Sequence, residues 1–175
     1  MLERLDPRDF DKFYSLIETS FPPDEYKPYS AQKKLLDDPL YSVYVLYTTD
    51  REIAACLAVW ELGDYLFIEH FAVSPQQRCG GLGARLLAEI AALAGKPLCL
   101  EVELPDNELA ARRVGFYERN GFFLNSYEYL MPPLAEGREP LPLKIMTTGH
   151  SVSEAEFQEI RAKLYTSVYK RSVQH

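Results

Sequence analysis

Phe71-Ala72-Val73-Ser74-Pro75-Gln76-Gln77-Arg78-Cys79-Gly80-Gly81-Leu82-Gly83-Ala84 is the stretch on which the fold of this chain turns. An apolar, strand-like run ends at Val73, a polar loop with clustered glycines follows, and an alanine- and leucine-rich helix opens near Leu82. The first backbone N–H groups of a helix have no partners within it, and the helix dipole adds positive potential there, so such a junction can hold an anion. Glycine permits a close backbone approach that a Cβ would block. Two common phosphate loops are excluded by the letters themselves. A P-loop closes on Gly-Lys-Ser/Thr, which Leu82-Gly83-Ala84 does not supply, and a dinucleotide fingerprint would need glycine where Leu86 stands.

On the N-terminal side, residues 41–48, 52–61 and 65–73 read as strands separated by turns at Thr49-Asp50 and Gly63-Asp64, which predicts an antiparallel meander. Before them, Asp6-Pro7 opens a helix that runs through Phe10, Phe13, Tyr14 and Ile17 to about Thr19, and a short helix is expected over 30–37. The Tyr-rich run at 41–47 reads as sheet packing. On the C-terminal side, a helix over 82–94 carries the stripe Leu82, Leu86, Leu87, Ile90 and Leu93. A strand over 98–104 follows, then a helix capped by Asp106 or Asn107 that ends at Arg119 before the Asn120-Gly121 turn. Residues 121–131 and 141–147 read as two more strands. Ser153 with Glu156 forms a capping box for a last helix over 153–170, striped by Phe157, Ile160, Leu164 and Val168. That stripe suits a homodimer surface or packing on the chain's own sheet. The order predicts an α/β protein with α+β layers: a mixed, mostly antiparallel central sheet flanked by helices, in one domain over 1–175 with the last helix as an extension.

Composition narrows the partners. The chain has 175 residues, 26 acidic and 19 basic, for a net charge of −7. An acidic balance argues against nucleic acid, whose phosphates reward clustered Lys and Arg. No apolar run approaches the roughly 20 residues needed to span a bilayer, so no membrane partner is expected. The N-terminus lacks the apolar stretch of a secretory signal. The cysteines Cys56, Cys79 and Cys99 show no C-x-x-C spacing, so neither a disulfide framework nor a zinc site is indicated, and a reduced, cytoplasmic setting is expected. Glu69-His70 has no second histidine at ligand spacing, which leaves no metal site. Cys79 is open to two readings, a thiol activated near a helix N-terminus or a tolerated small residue.

The quoted stretch resembles motif A of the GNAT superfamily, the acyl-CoA-dependent N-acyltransferases, whose R/Q-x-x-G-x-G/A pattern is met by Arg78, Gly81 and Gly83. Downstream, Ala110-Ala111-Arg112-Arg113-Val114-Gly115-Phe116-Tyr117-Glu118-Arg119-Asn120-Gly121-Phe122 resembles motif B, with Tyr117 on its tyrosine and Gly121-Phe122 on its Gly-Phe pair. The common form has asparagine and alanine where Ala110 and Arg113 stand, and Arg112 or Arg113 could reach a CoA phosphate instead. The resemblance covers roughly residues 1–131 in element order, with motif-level agreement over 65–122.

This resemblance implies a parallel strand pair at 65–73 and 98–104, and acetyl-CoA as co-substrate with no metal. It places Phe71, Ala72, Val73, Arg78, Cys79, Gly80, Gly81, Leu82, Gly83, Ala84 and Tyr117 at the cofactor. It implies a thioester carbonyl met by a backbone N–H near Val73, and Tyr117 as the acid for the departing thiolate. A phenol near pKa ~10 and a thiol near ~8.5 make full proton transfer uphill by about 2 kcal/mol, so hydrogen-bond donation is the expected role. The base is expected on the strand before the loop, with Glu69 first and Glu101 or Glu103 next. The implied activity is N-acetylation of a primary amine on a small molecule. The alternatives are a non-catalytic acyl-CoA-binding sensor and an acetyltransferase acting on a protein or peptide amine. Residues 1–77 hold 14 acidic and 7 basic side chains, against 12 of each over 78–175, so the whole charge imbalance lies in the half that builds the acceptor side. Such a half can steer a cationic acceptor inward.

Overall fold

The computed structural model describes residues 1–78 and 80–171. Its strands are β1 (Glu3–Arg4), β2 (Tyr41–Tyr47), β3 (Ile53–Glu61), β4 (Leu66–Val73), β5 (Leu98–Glu103), β6 (Phe122–Leu124), β7 (Tyr129–Met131) and β8 (Leu141–Thr148). They form one sheet in the order β1-β2-β3-β4-β5-β8-β6, with β7 also paired to β8. The sheet is mostly antiparallel, and β4 and β5 are the expected parallel pair. The helices are α1 (Phe10–Ser20), α2 (Tyr29–Lys34), α3 (Leu82–Ala94), α4 (Glu108–Arg119) and α5 (Glu154–Lys163). Among the described residues, no helix is long and apolar enough to cross a membrane.

The chain divides into two compact units. The first comprises Met1–Glu61 and Ile68–Gly95. Period-two burial marks β2, where Tyr41, Val43 and Val45 face inward, while β3 is buried from Ile53 to Trp60, as befits an inner strand covered on both faces. α1 buries Phe10, Phe13, Tyr14, Leu16 and Ile17, the face its sequence periodicity drew. α3 buries Leu86, Leu87 and Ile90, but Leu93 of the expected stripe is exposed, because the helix is about to end at Gly95 in a left-handed turn. The two-residue strand β1 has no periodicity from which to read it. Tertiary contacts make it: Glu3 and Arg4 pair with Val45 and Tyr44, the Leu2 and Leu5 side chains are buried, and the Leu2 N–H donates to Glu89 Oε1 at 2.6 Å.

The second unit comprises Leu62–Phe67 and the chain from Lys96 onward. Asn107 is the cap of α4, its Oδ1 accepting the Ala110 N–H at 2.9 Å. The strand expected over 121–131 is two strands, and Asn125 interrupts it. Its side chain is buried, with Nδ2 donating to the Ile145 carbonyl and Thr147 Oγ1, both at 3.1 Å, and Oδ1 accepting the Val152 N–H at 2.9 Å. A buried amide must be satisfied, and these bonds take the chain out of the ladder. The capping box of α5 is present as read. The helix expected over 153–170 is α-helical only to Lys163 and widens into a π-helical turn at Leu164–Val168, closed by Tyr169 N–H to the Leu164 carbonyl at 3.0 Å. Phe157, Ile160, Leu164 and Val168 are all buried within the chain. Cys56 and Cys99 are buried, and burial pushes the Cys56 thiol up to about 12 and the Cys99 thiol higher still.

Candidate active site

The loop that follows β4 has the geometry of an anion cradle. The Ser74 N–H is tied to the Ala54 carbonyl at 2.8 Å, the 3₁₀ turn Pro75–Gln77 follows, and Arg78 Nε donates back to the Val73 carbonyl at 3.0 Å. Gly80 and Gly81 take φ values of +79° and +72°, in the left-handed region. A Cβ at either would meet no atom within 4 Å, so the backbone conformation, and not crowding, calls for glycine, and the space beside the loop is open. Gly81 is the N-cap of α3, with no side-chain cap. Arg85 N–H bonds to the Gly81 carbonyl at 3.1 Å, which places the amides of Leu82, Gly83 and Ala84 in the uncapped first turn. That is the donor set an oxyanion such as a diphosphate requires. Phe71 and Val73 are half-buried and Ala72 is buried. Cys79 lies outside the described residues.

Glu69 sits on β4 with its side chain 5% exposed. Lys27 Nζ lies 2.6 Å from Oε1, and Trp60 Nε1–H donates to Oε2 at 3.0 Å. Burial works against ionisation, but the Lys27 ammonium and the hydrogen bonds from Lys27 and Trp60 outweigh it and hold the carboxyl below its usual range. His70, next along β4, is buried, with Nε2 at 2.8 Å from the Glu25 carbonyl. A carbonyl only accepts, so Nε2 carries the proton and Nδ1 presents a lone pair, which has no hydrogen-bond partner and lies 3.9 Å from Glu69 Oε2. Burial lowers the His70 pKa, with the Glu69 charge opposing, so the ring is neutral near pH 7. The segment joining α1 to α2 is laid over these groups. Phe21 stacks edge-on to His70 with 5.0 Å between centroids, and Tyr14 OH donates to the Lys27 carbonyl at 3.1 Å.

The remaining candidates belong to the second unit. Tyr117 on α4 is 8% exposed and packs edge-to-face with Phe116 and Phe122. Burial pushes its pKa up to about 12, with the Arg113 charge opposing. Glu101 accepts the hydroxyls of Tyr129 and Tyr169, the latter at 2.8 and 2.7 Å. Glu103 pairs with Arg113 at 2.9 Å, and Arg112 pairs with Glu108 on the exposed face of α4. Among the described residues, no group of three His, Cys, Asp or Glu side chains is placed to hold a metal ion.

The structure therefore brings Glu69 together with Lys27, Trp60 and His70, and Arg78 together with the end of β4. Sequence reading did not single out Lys27 or Trp60. Lys27 lies 42 residues from Glu69, and no spacing rule couples a loop lysine to a strand carboxylate across such a distance. The available signal was chemical: the chain's one tryptophan, and a lysine set between prolines in a tract otherwise acidic and aromatic.

A family model described as an acetyltransferase (GNAT) domain matches residues 39–123. A solved structure from Bacteroides thetaiotaomicron, assigned to the GNAT family of acetyltransferases, is 31% identical, with a TM-score of 0.86 and coverage of 99% of each chain. A Bacillus subtilis protein named as an acetyltransferase, YjbC, is 26% identical over 160 residues, or 90% of this chain and 81% of that protein. A chimera of the Vibrio cholerae spermidine N-acetyltransferase SpeG shares the fold at a TM-score of 0.62 and 14% identity, over 85% of this chain and 94% of that one.

Proposed function

Because the chain belongs to the GNAT acetyltransferase family and is thereby an acetyl-CoA-dependent N-acetyltransferase, we propose that its acceptor is a primary amine on a small molecule. The observation that carries the cofactor side is the uncapped N-terminus of α3 behind left-handed Gly80 and Gly81, which fits the diphosphate of CoA. Acetyl-CoA supplies the activated acyl carbon. On this reading the amides of Leu82, Gly83 and Ala84 hold the diphosphate, with Arg78 braced against the Val73 carbonyl beside them. The acceptor side draws support from the acidic surplus of residues 1–77 and from the spermidine enzyme among the fold neighbours.

Tyr117 is proposed as the hydrogen-bond donor to the leaving thiolate. With its pKa at about 12, transfer of the proton to a thiolate of pKa ~8.5 would be uphill by roughly 5 kcal/mol, so the phenol keeps its proton and donates. Tyr117→Phe should lower kcat by about 100-fold, the usual cost of one such donor, while leaving the KM for acetyl-CoA within about twofold. Steady-state kinetics with acetyl-CoA varied would show this, and unchanged turnover would remove Tyr117 from the reaction. Glu69 is the first candidate to meet the amine. An ammonium at pKa ~10.4 giving its proton to an ordinary carboxylate is uphill by roughly 8 kcal/mol, so Glu69 orients the amine and water carries the proton away.

Release of CoA thiol with a panel of spermidine, small monoamines and an N-terminal peptide tests the function. Saturable release is expected with the small amines, with an acceptor KM that rises with salt as screening weakens the attraction of the acidic half. Turnover confined to the peptide would overturn the small-molecule reading.

A further inference from the structure

Glu69 and Trp60 form a built site for an ammonium group. The carboxylate is nearly buried, and the fully buried Trp60 fixes one of its oxygens by an indole N–H bond at 3.0 Å. The other oxygen faces the Lys27 ammonium at 2.6 Å, and that nitrogen lies 6.0 Å from the centroid of the Trp60 ring. A desolvated carboxylate beside an aromatic face is what an alkylammonium ion needs, combining charge, N–H acceptance and cation–π attraction. The cation that fills the site does not come from the sheet or from a helix. Lys27 reaches in from the segment over residues 21–28, whose Pro22, Pro23, Asp24 and Pro28 are exposed, and its own side chain stays 12% exposed.

We infer that this is an alkylammonium-binding site in which the Lys27 side chain stands in for an external ligand, so that Lys27 is a built-in competitor of a cationic acceptor. The inference rests on the reading of the chain as an acetyltransferase of small amines. The anchoring of the segment is separate from the ammonium. The Glu25 carbonyl is held by His70 Nε2, the Lys27 carbonyl by Tyr14 OH, and the Phe21 ring by the His70 ring. The lysine stem can therefore swing out while the backbone stays seated. A primary alkylammonium matches the lysine side chain in charge, in its three N–H donors and in its aliphatic stem, so the two compete for one place. A tethered competitor acts at an effective concentration in the millimolar range, which an external amine must exceed.

Trp60 is the chain's one tryptophan, so its indole N–H gives one NMR signal at the site itself. n-Butylammonium chloride, whose stem matches that of lysine, is titrated into wild-type protein and Lys27→Met in the absence of acetyl-CoA, with tetramethylammonium chloride as the salt control lacking N–H donors. A saturable shift is expected in Lys27→Met with a midpoint at least about 10-fold below that of the wild type, no saturable shift with the control salt, and loss of the response in Lys27→Met/Glu69→Gln. Equal midpoints in the two proteins, or no saturation in Lys27→Met, would overturn the inference. Lys27→Gln, which can still donate an N–H to Glu69, makes the same comparison if Lys27→Met does not fold. Because the titration involves no acetyl transfer, its failure leaves the small-amine function standing, and failure of the amine panel leaves the ammonium titration to be read alone.

Discussion

Glu69→Ala is expected to lower the unfolding free energy by about 3 kcal/mol. Removing one partner of a buried ion pair leaves the other charge without compensation, at a typical cost of about 3–5 kcal/mol. Here the Trp60 indole loses its acceptor as well. The lysine's route to solvent sets the effect at the low end, because Lys27 can rehydrate on its flexible stem. For a chain of this length the change corresponds to a drop in Tm of roughly 6–12 °C. Lys27→Met/Glu69→Ala should recover most of that loss, since an apolar replacement of both partners removes the stranded charge. Thermal denaturation of the two single variants and the double variant forms a mutant cycle, and single variants as stable as the wild type would show that the pair contributes nothing.

Gly81→Val should abolish the use of acetyl-CoA at ordinary concentrations, raising its Kd by 100-fold or more. At φ +72° a β-branched side chain is strained by about 1–3 kcal/mol, and its Cβ enters the open space beside the uncapped turn of α3. Each factor of ten in affinity is about 1.4 kcal/mol, so the strain together with lost amide contacts accounts for the size of the effect. Gly137→Val is the control. Gly137 has φ +79° and open space around its Cβ position, but it lies on the connection before β8, so it carries a similar backbone penalty without the ligand contact. Calorimetric titration with CoA should separate them. Equal weakening by both substitutions would assign the loss to general destabilisation.

What could be read in the sequence was what repeats or is punctuated over short distances. The alternation of Tyr41, Val43 and Val45, the stripe of Phe10, Phe13, Tyr14 and Ile17, the Ser153/Glu156 box and the glycines ahead of α3 each carry their own local reason, and each element formed where that reason put it. The misses share one physical origin, which is that distant groups decide them. β1 exists because Val45 and Tyr44 offer it an edge. Residues 121–131 break into two strands because Asn125 finds its partners at Ile145, Thr147 and Val152. Glu69 read only as a candidate base, because the lysine and tryptophan that surround it arrive from other parts of the chain. A titratable side chain has no character of its own until its neighbours are known, and here folding supplies them.

The burial of Cys56 and Cys99 has a practical consequence at the bench. A thiol reagent attacks the thiolate, and with the Cys56 pKa near 12 and Cys99 raised further, both are protonated and shielded in the folded chain. Of the three cysteines in the sequence, these two are silent toward a colorimetric thiol reagent under native conditions, so CoA released in the reaction can be counted without a chromophore background from the core. The same silence makes the pair an internal clock for unfolding, since the reagent gains access to them when the core opens.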